Sequence, residues 1–533
     1  MSAELKAQGN ALFVAKNFKE AAEKYTAAIQ AGDEAADPKG LAVLYANRAA
    51  CRSSLKRYAD SRDDARKATE LDPTYAKAWA RLASAKDAMC NYIESQESWQ
   101  RALDALPKSD LKPAEHAQKA QYQAGLESAM TAVTRMYSPP AASGQVQSQG
   151  RMPWELAAAK LPSLRVLRPP NYSSSAWVIH SAYEEFMSGV RRMKQLQIDP
   201  VTGQMRGMPR GIVDLTNGAM RDARVMDCID DKFLSEYNNQ VRYEANAFRP
   251  WPEAGPEVVV REALARQRSE GWDAARVSVS WTVRAWIMRA VMEGSLYARH
   301  GVALEFYKRA AEVIRRLREE WLLVPKNDRG VIFEQSFMFG LQQLYIDSIM
   351  QTYSSDPSPE LLEELIKEAD LLVREVDEAF HHLGSQGTMD PGFLSSFYIY
   401  PRAAAFANKG FYYNKKATLS PNESQQFFRK AAVEYLNAVN CYPQDDEQHP
   451  WFLNIALTNM LASHLFPLRE TLDVMKRIRE TAPKAKEIWE NSLSAPGLWD
   501  TLAGVGEQED TLRGMLEQGK VTLDSCIGVT AEE

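Results

Sequence analysis

A 34-residue spacing of small residues limits what the first part of this chain can become. Three stretches share one pattern, a small residue, then a bulky or apolar one four positions on, then alanine after three more. They are Ala21/Tyr25/Ala28, Ser61/Ala65/Ala68 and Ser95/Trp99/Ala102. Between the second and third copies, matched positions lie 34 apart: Ala49 and Ala83, Ser61 and Ser95, Ala68 and Ala102, Pro73 and Pro107. Ala28 and Ala68 lie 40 apart, so about six extra residues enter the first connection, near Gly32–Gly40. Small residues let antiparallel helices approach closely, and aromatics fill the gaps between pairs. One such pair cannot bury its apolar face alone, so the pairs must stack.

This period, with small residues at the helix crossings and proline at the turn, is that of the tetratricopeptide repeat (TPR). Helix pairs are expected at Glu4–Ala15 with Phe18–Gln30, Leu41–Leu55 with Tyr58–Leu71, and Tyr75–Met89 with Tyr92–Leu106. A further helix, about Ala114–Met136, would cover the last apolar face. Gly9, Ala49 and Ala83 fit the close-contact position on each first helix.

In such an array the first helix of each pair lines a concave groove. Lys6 and Asn10 are four residues apart on one helix and share a side, as do Lys77 and Arg81 two first helices later. Asn47 and Arg81 are 34 apart and occupy equivalent places. Asparagine is poor in a helix interior, so two of them on inner helices suggest a use. Amide donors, ammonium groups and a planar guanidinium together suit two carboxylates on one residue, the side chain and free terminus of a C-terminal aspartate.

Lys6-x3-Asn10, Asn47 and Lys77-x3-Arg81 make Glu4–Leu106 resemble the carboxylate-clamp TPR domains of chaperone adaptors. The resemblance implies that the groove binds the Glu-Glu-Val-Asp tails of cytosolic heat-shock chaperones of the seventy- and ninety-kilodalton classes. The insert around Ala31–Gly40 departs from the family pattern, and would alter peptide specificity rather than the clamp.

Composition is that of an ordinary folded protein, 45% hydrophobic and 25% charged over 533 residues. A net charge of -6 gives no general attraction to nucleic acid or anionic membrane. Five cysteines, Cys51, Cys90, Cys228, Cys441 and Cys526, are scattered without a Cys-x2-Cys pair. Reduced thiols and a cytoplasmic location, with the nucleus as an alternative, are expected. The polar, helix-patterned start gives no signal peptide, and no apolar run reaches the ~18 residues of a transmembrane helix.

The rest of the chain is harder to read. Residues 138–150 are rich in Pro, Ala, Ser, Gly and Gln and read as a flexible linker. Residues 151–256 read as a mixed, partly helical region of unknown role, with helices near Trp177–Leu196 and Met220–Ala245 and a Gly/Pro loop at Asp199–Gly211. From 257 to 525 the pattern is helical and degenerately TPR-like. Ala431/Tyr435/Ala438/Pro443 repeats the second-helix spacing, Ala303/Tyr307/Ala310 repeats it without the proline, and Asn327–Thr352 and Pro359–Leu383 read as long helices. No second clamp is apparent among Asn408, Lys409, Lys415, Lys416 and Asn454.

No pattern for catalysis emerges. Seven histidines include no His-Glu-x2-His helix, and there is neither a phosphate loop nor a Gly-x-Ser-x-Gly elbow. Asp227, Asp230 and Asp231 beside Cys228 read as a solvated helix face. The expectation is therefore an all-α chain: a three-repeat TPR superhelix (1–137) with a capping helix, the linker, and a mostly helical, TPR-like C-terminal region. Its function would be that of a non-enzymatic adaptor or cochaperone without cofactor or metal, with a second protein partner on the C-terminal helices. The alternatives are an assembly scaffold that binds no chaperone, and an enzyme hidden in residues 151–256.

Overall fold

The computed structural model describes residues 2–32, 37–109, 111–137, 151–167, 173–383, 389–493 and 497–527. The linker expected at 138–150 lies outside the described residues, as does the 33–36 part of the insert. The chain is all-α: apart from one two-stranded hairpin and an isolated bridge, the described elements are helices. They form two compact units. The first comprises Met1–Gly144, Pro250–Thr282 and Arg315–Glu320, and the second Gln145–Arg249, Val283–Ile314 and Trp321–Glu533.

The first unit begins with three antiparallel pairs: α1 (Ser2–Val14) with α2 (Phe18–Gln30), α3 (Pro38–Ser54) with α4 (Tyr58–Leu71), and α5 (Ala76–Ala88) with α6 (Tyr92–Asp104). The long α7 (Pro113–Tyr137) packs on α6 and α5 and closes the stack. The periodic small residues sit where the helices touch: Ala21, Ala28, Ala49, Ala65, Ala68, Ala83 and Ala102 are all fully buried. Two hydrogen bonds repeat with the sequence period. Ser61 Oγ donates to the carbonyl of Ala49 at 2.8 Å, and Ser95 Oγ lies 3.2 Å from that of Ala83 while also bonding Asp87 Oδ1. Each serine satisfies its own buried hydroxyl and lets two backbones approach, which a larger residue would prevent. Past the insert, Asp37 caps α3 through its side chain, with Pro38 in the first turn.

The chain continues with α8 (Pro153–Val166), α9 (Ala176–Lys194), the hairpin strands β1 (Gln197–Ile198) and β2 (Met205–Arg206), α10 (Gly211–Arg221) and α11 (Phe233–Phe248). Next come α12 (Pro256–Glu270), α13 (Trp272–Ser295), α14 (His300–Glu320), the short α15 (Lys326–Arg329), α16 (Gln335–Ser355) and α17 (Pro359–Leu383). The last are α18 (Pro391–Leu394), α19 (Tyr400–Leu419), α20 (Ser424–Cys441), α21 (Gln448–Ser463), α22 (Leu468–Trp489) and α23 (Leu498–Glu517).

Two helices are shorter than their patterns implied. The helix expected at Asn327–Thr352 is interrupted at Gly330, whose φ of +101° ends α15 before α16 begins. The helix expected at Met220–Ala245 breaks at Asp222. This residue is extended, accepts from the Arg224 amide, and starts a 3-10 turn over Ala223–Cys228. The expected Asp199–Gly211 loop is largely irregular, with β2 inside it.

In the second unit, α19, α20, α21 and α22 pack each on the next, the stacking order of a helical repeat. Ala431, Tyr435 and Ala438 are buried, and so are Ala303, Tyr307 and Ala310. One close contact recurs in both units. A Cβ built on Gly9 would lie 2.8 Å from the Tyr25 ring, and one on Gly410 would lie 2.9 Å from the Tyr435 ring. In each case the tyrosine of the second helix seats on bare backbone of the first. Gly410→Val is therefore expected to lower stability by about 1–3 kcal/mol through overpacking. Chemical denaturation checks this, and an unchanged midpoint would contradict the seating.

Stretches distant in sequence close this unit. Ser174 Oγ donates to Asp445 Oδ2 at 2.6 Å, the Ser175 amide to Asp445 Oδ1 at 2.7 Å, and Trp489 Nε1 to Ser175 Oγ at 3.0 Å. The Arg224 guanidinium lies 3.6 Å above the Trp489 ring and pairs with Asp222, Asp446 and Glu447. The stretch before α12 is thus fastened to the C-terminal helices by buried polar groups.

Candidate functional site

Three of the five groove residues lie in one hydrogen-bonded line across the inner helices α1, α3 and α5. Asn47 Nδ2 donates to Asn10 Oδ1 at 3.4 Å, and Arg81 Nη1 donates to Asn47 Oδ1 at 3.2 Å. At the far end Tyr25 Oη donates to Asn10 Oδ1 at 2.7 Å. With its oxygen doubly engaged, Asn10 keeps its NH2 group as a donor. Arg81 likewise uses one arm of its fork and keeps the rest. Lys6, half-buried, and Lys77, exposed, stand one turn before Asn10 and Arg81 on α1 and α5. No hydrogen bond joins either lysine to the other three among the described residues.

The electrostatics are one-sided. Among the described residues, no ion pair involves Lys6, Lys77 or Arg81. Burial lowers the Arg81 pKa below that of a free guanidinium, and the groups that oppose this are Tyr75, Tyr122, Tyr25 and Cys51, none of them a carboxylate. Burial pushes the neighbouring Cys51 thiol up to about 11, so it stays neutral at physiological pH. Arg81 is thus a desolvated cation held in place by an amide, without an acid of the same chain to neutralise it. Such a group gains from an incoming carboxylate.

A buried cluster of neutralised charge lies on the α3–α4 pair, and sequence reasoning did not assign it. Asp64 accepts from Arg48 Nε at 2.9 Å and Nη2 at 2.7 Å, and pairs with Arg52 Nη1 at 2.8 Å. Arg52 also pairs with Glu257 of α12. The start of α12 is held by α4: Asp63 accepts from the Gly255 amide at 2.7 Å, and Asp60 from the Glu257 amide at 3.3 Å. Carboxylates thus meet the unpaired amides at the N-terminus of α12. The available signal was the density of buried-helix charge, Arg48, Arg52, Asp60, Arg62, Asp63 and Asp64, on two helices whose alanines belong to a core.

Among the described residues no group of three or more His, Cys, Asp or Glu could hold a metal ion. Asp230 pairs with Lys194 at 3.1 Å, and burial pushes the adjacent Cys228 up to about 12, away from thiolate chemistry.

No protein-family model matches the chain. Heat shock protein STI1 of Saccharomyces cerevisiae is 36% identical over 101 residues, which are 19% of this chain and 16% of that protein. The Hsp70-Hsp90 organizing protein of Triticum aestivum is 36% identical over 110 residues, 21% of this chain and 18% of that protein. The match therefore spans less than a fifth of the length of either relative. Among solved structures, the Sgt2 TPR domain of Aspergillus fumigatus is 28% identical, covering 28% of this chain and 91% of that one, with a TM-score of 0.21. Over this segment the chain is similar to TPR cochaperones.

Proposed function

We propose, from the premise that one segment of this chain is a TPR segment of the cochaperone family, that its groove takes the acidic C-terminal tail of cytosolic heat-shock chaperones. The observation that carries the reading is the Asn10–Asn47–Arg81 line, a row of donors with no acid of its own. In this reading Asn10 and Asn47 donate amide hydrogens to the terminal carboxylate, flanked by the Lys6 charge. Lys77 and Arg81 take the aspartate side chain and the acids before it. The relatives' names, one a heat shock protein and one an Hsp70-Hsp90 organizing protein, support a tail of this kind. The protein would then act as an adaptor rather than an enzyme, with a second partner on the helices of the second unit. Cysteines that form no disulfide among the described residues fit a reduced, cytosolic compartment.

Exposed charge pairs are screened by salt, so the tail should weaken as ionic strength rises. Affinity of the full chain for a Glu-Glu-Val-Asp peptide, followed by calorimetry, is expected to fall by about tenfold or more between low and high salt. Affinity independent of salt would argue for apolar docking and against the clamp.

A further inference from the structure

In the second unit α16, α19 and α21, with the turn after α10, line a cavity of about 470 Å³. That is in the size range of ligand sites, roughly 300–1,000 Å³. Its place in the repeat follows from the glycine contacts. Gly410 meets Tyr435 as Gly9 meets Tyr25, so Ala407 and Phe411 hold the positions that Lys6 and Asn10 hold beside Gly9. Both line the cavity. The second unit therefore has a groove where the first has its clamp, with the clamp residues gone. Of the three lysines on α19, two are neutralised and the third, Lys415, lies 5.1 Å from the Phe411 ring centroid. Lys409 pairs with Asp370 at 3.0 Å and Glu434 at 3.1 Å, and Lys416 pairs with Glu363 at 2.9 Å.

The wall also holds unpartnered acceptors. Asp347 accepts from Asn408 Nδ2 at 2.7 Å, and no cation of the chain pairs with it among the described residues. Burial pushes its carboxyl up to about 6. Asn408, only 3% exposed, uses its NH2 group on Asp347 and on the Ala404 carbonyl and leaves Oδ1 without a partner. Gln343 Oε1 is likewise unpartnered. Tyr435, Trp451 and Phe452 supply aromatic side chains to the wall, and the Phe411 ring there already carries Lys415. The other charged wall groups are Arg221, Asp222 and Arg224. Arg224 is taken by Asp222, Asp446 and Glu447, while Arg221 pairs with Glu185 at 2.8 Å through Nη2 and leaves Nε and Nη1 without a partner. Four carboxylates thus surround the two guanidinium groups, and negative charge is in excess.

We infer that this cavity receives a protonated lysine or arginine side chain of a partner protein. Aromatic faces and a desolvated carboxylate attract a cation, and unsatisfied carbonyl oxygens accept its hydrogens. The inference deepens the reading of the second unit as the seat of a second partner. It inverts the chemistry of the first groove, which takes an anion.

The test probes an array of immobilised heptapeptides with randomised flanks and a fixed centre: lysine, arginine, acetyl-lysine or glutamate. The full chain is expected to retain lysine- and arginine-centred peptides about tenfold better than the other two, and Asp347→Asn to lose the preference. Equal retention of all four, or a preference that survives Asp347→Asn, overturns the inference. Folding is monitored by thermal unfolding. The unfolded carboxyl ionises at lower pH than the buried one, so ionised Asp347 opposes folding above its raised pKa. Asp347→Asn should therefore melt at a higher temperature at pH 8, with the gain shrinking as pH falls through 6 and gone near pH 4. A lower melting temperature at pH 8 would make Asp347 a structural group and also overturn the inference. Arg81→Ala should leave the array preference intact, so this cavity and the first groove can fail separately.

Discussion

Arg81→Ala is expected to weaken binding of a Glu-Glu-Val-Asp peptide by about 10- to 150-fold, with the helical circular dichroism unchanged. The magnitude is that of one charge-assisted hydrogen-bonded contact, about 1.5–3 kcal/mol. The reason for choosing Arg81 over the lysines lies in its setting. It is half-buried, tied to Asn47 at 3.2 Å, and surrounded by tyrosine and cysteine rather than by acids. Its guanidinium is already ordered, so little side-chain entropy remains to be lost on binding. Lys77 is exposed and unattached, and Lys77→Ala should cost less. If Arg81→Ala binds as the parent does, Arg81 is outside the peptide's reach. If it unfolds the unit, Arg81 is structural.

Asp64→Ala is expected to destabilise the first unit by about 3–5 kcal/mol, the cost of removing one member of a buried ionic cluster. Asp64 holds Arg48 through two hydrogen bonds and Arg52 through a third contact, and all three side chains are at most a tenth exposed. Without the carboxylate, Arg48 keeps Thr26 Oγ1 at 2.9 Å and the Tyr45 ring at 5.4 Å, and Arg52 keeps Glu257 and a long contact to the Asp60 carbonyl. Urea unfolding of the full chain followed by tryptophan fluorescence measures this, Trp79 and Trp99 reporting from the unit. A loss below about 1 kcal/mol would mean that the arginines find other partners. Tail affinity at low temperature should change far less than with Arg81→Ala, because α4 contributes none of the five groove residues.

The first unit was legible because its signal is repeated. A 34-residue offset predicts helix pairs and small residues at their crossings at once, and each prediction is local. Placing Asn10, Asn47 and Arg81 together required only helical spacing plus the offset. The Tyr25 hydroxyl, which orients Asn10, was hidden because an aromatic at that position already has a packing role. The attachment of α12 to α4 was not legible, because it joins Asp63 to Gly255 and Arg52 to Glu257 across nearly two hundred residues. Nothing in local periodicity encodes such a pairing.

The second unit shows the same limit. Asp222 ends α10 because its side chain caps the next turn and pairs with Arg224. That substitution of a local bond for a helical one is invisible in an apolar periodicity. Gly330 stops a helix whose apolar pattern runs on. The Gly410–Tyr435 contact was foreshadowed only at its tyrosine, since longer α19 and α20 set the pair 25 residues apart where Gly9 and Tyr25 are 16 apart. Asp347 could be marked only by its surroundings, because one carboxylate in a helical pattern carries no sign of being half-buried without a cation.

The most direct measurement compares two peptides by isothermal titration calorimetry against the full chain. Both end in Glu-Glu-Val-Asp, one with a free C-terminal carboxylate and the other with a C-terminal amide. The groove of fixed donors predicts that the free acid binds and the amide does not. Equal binding of the two would contradict it.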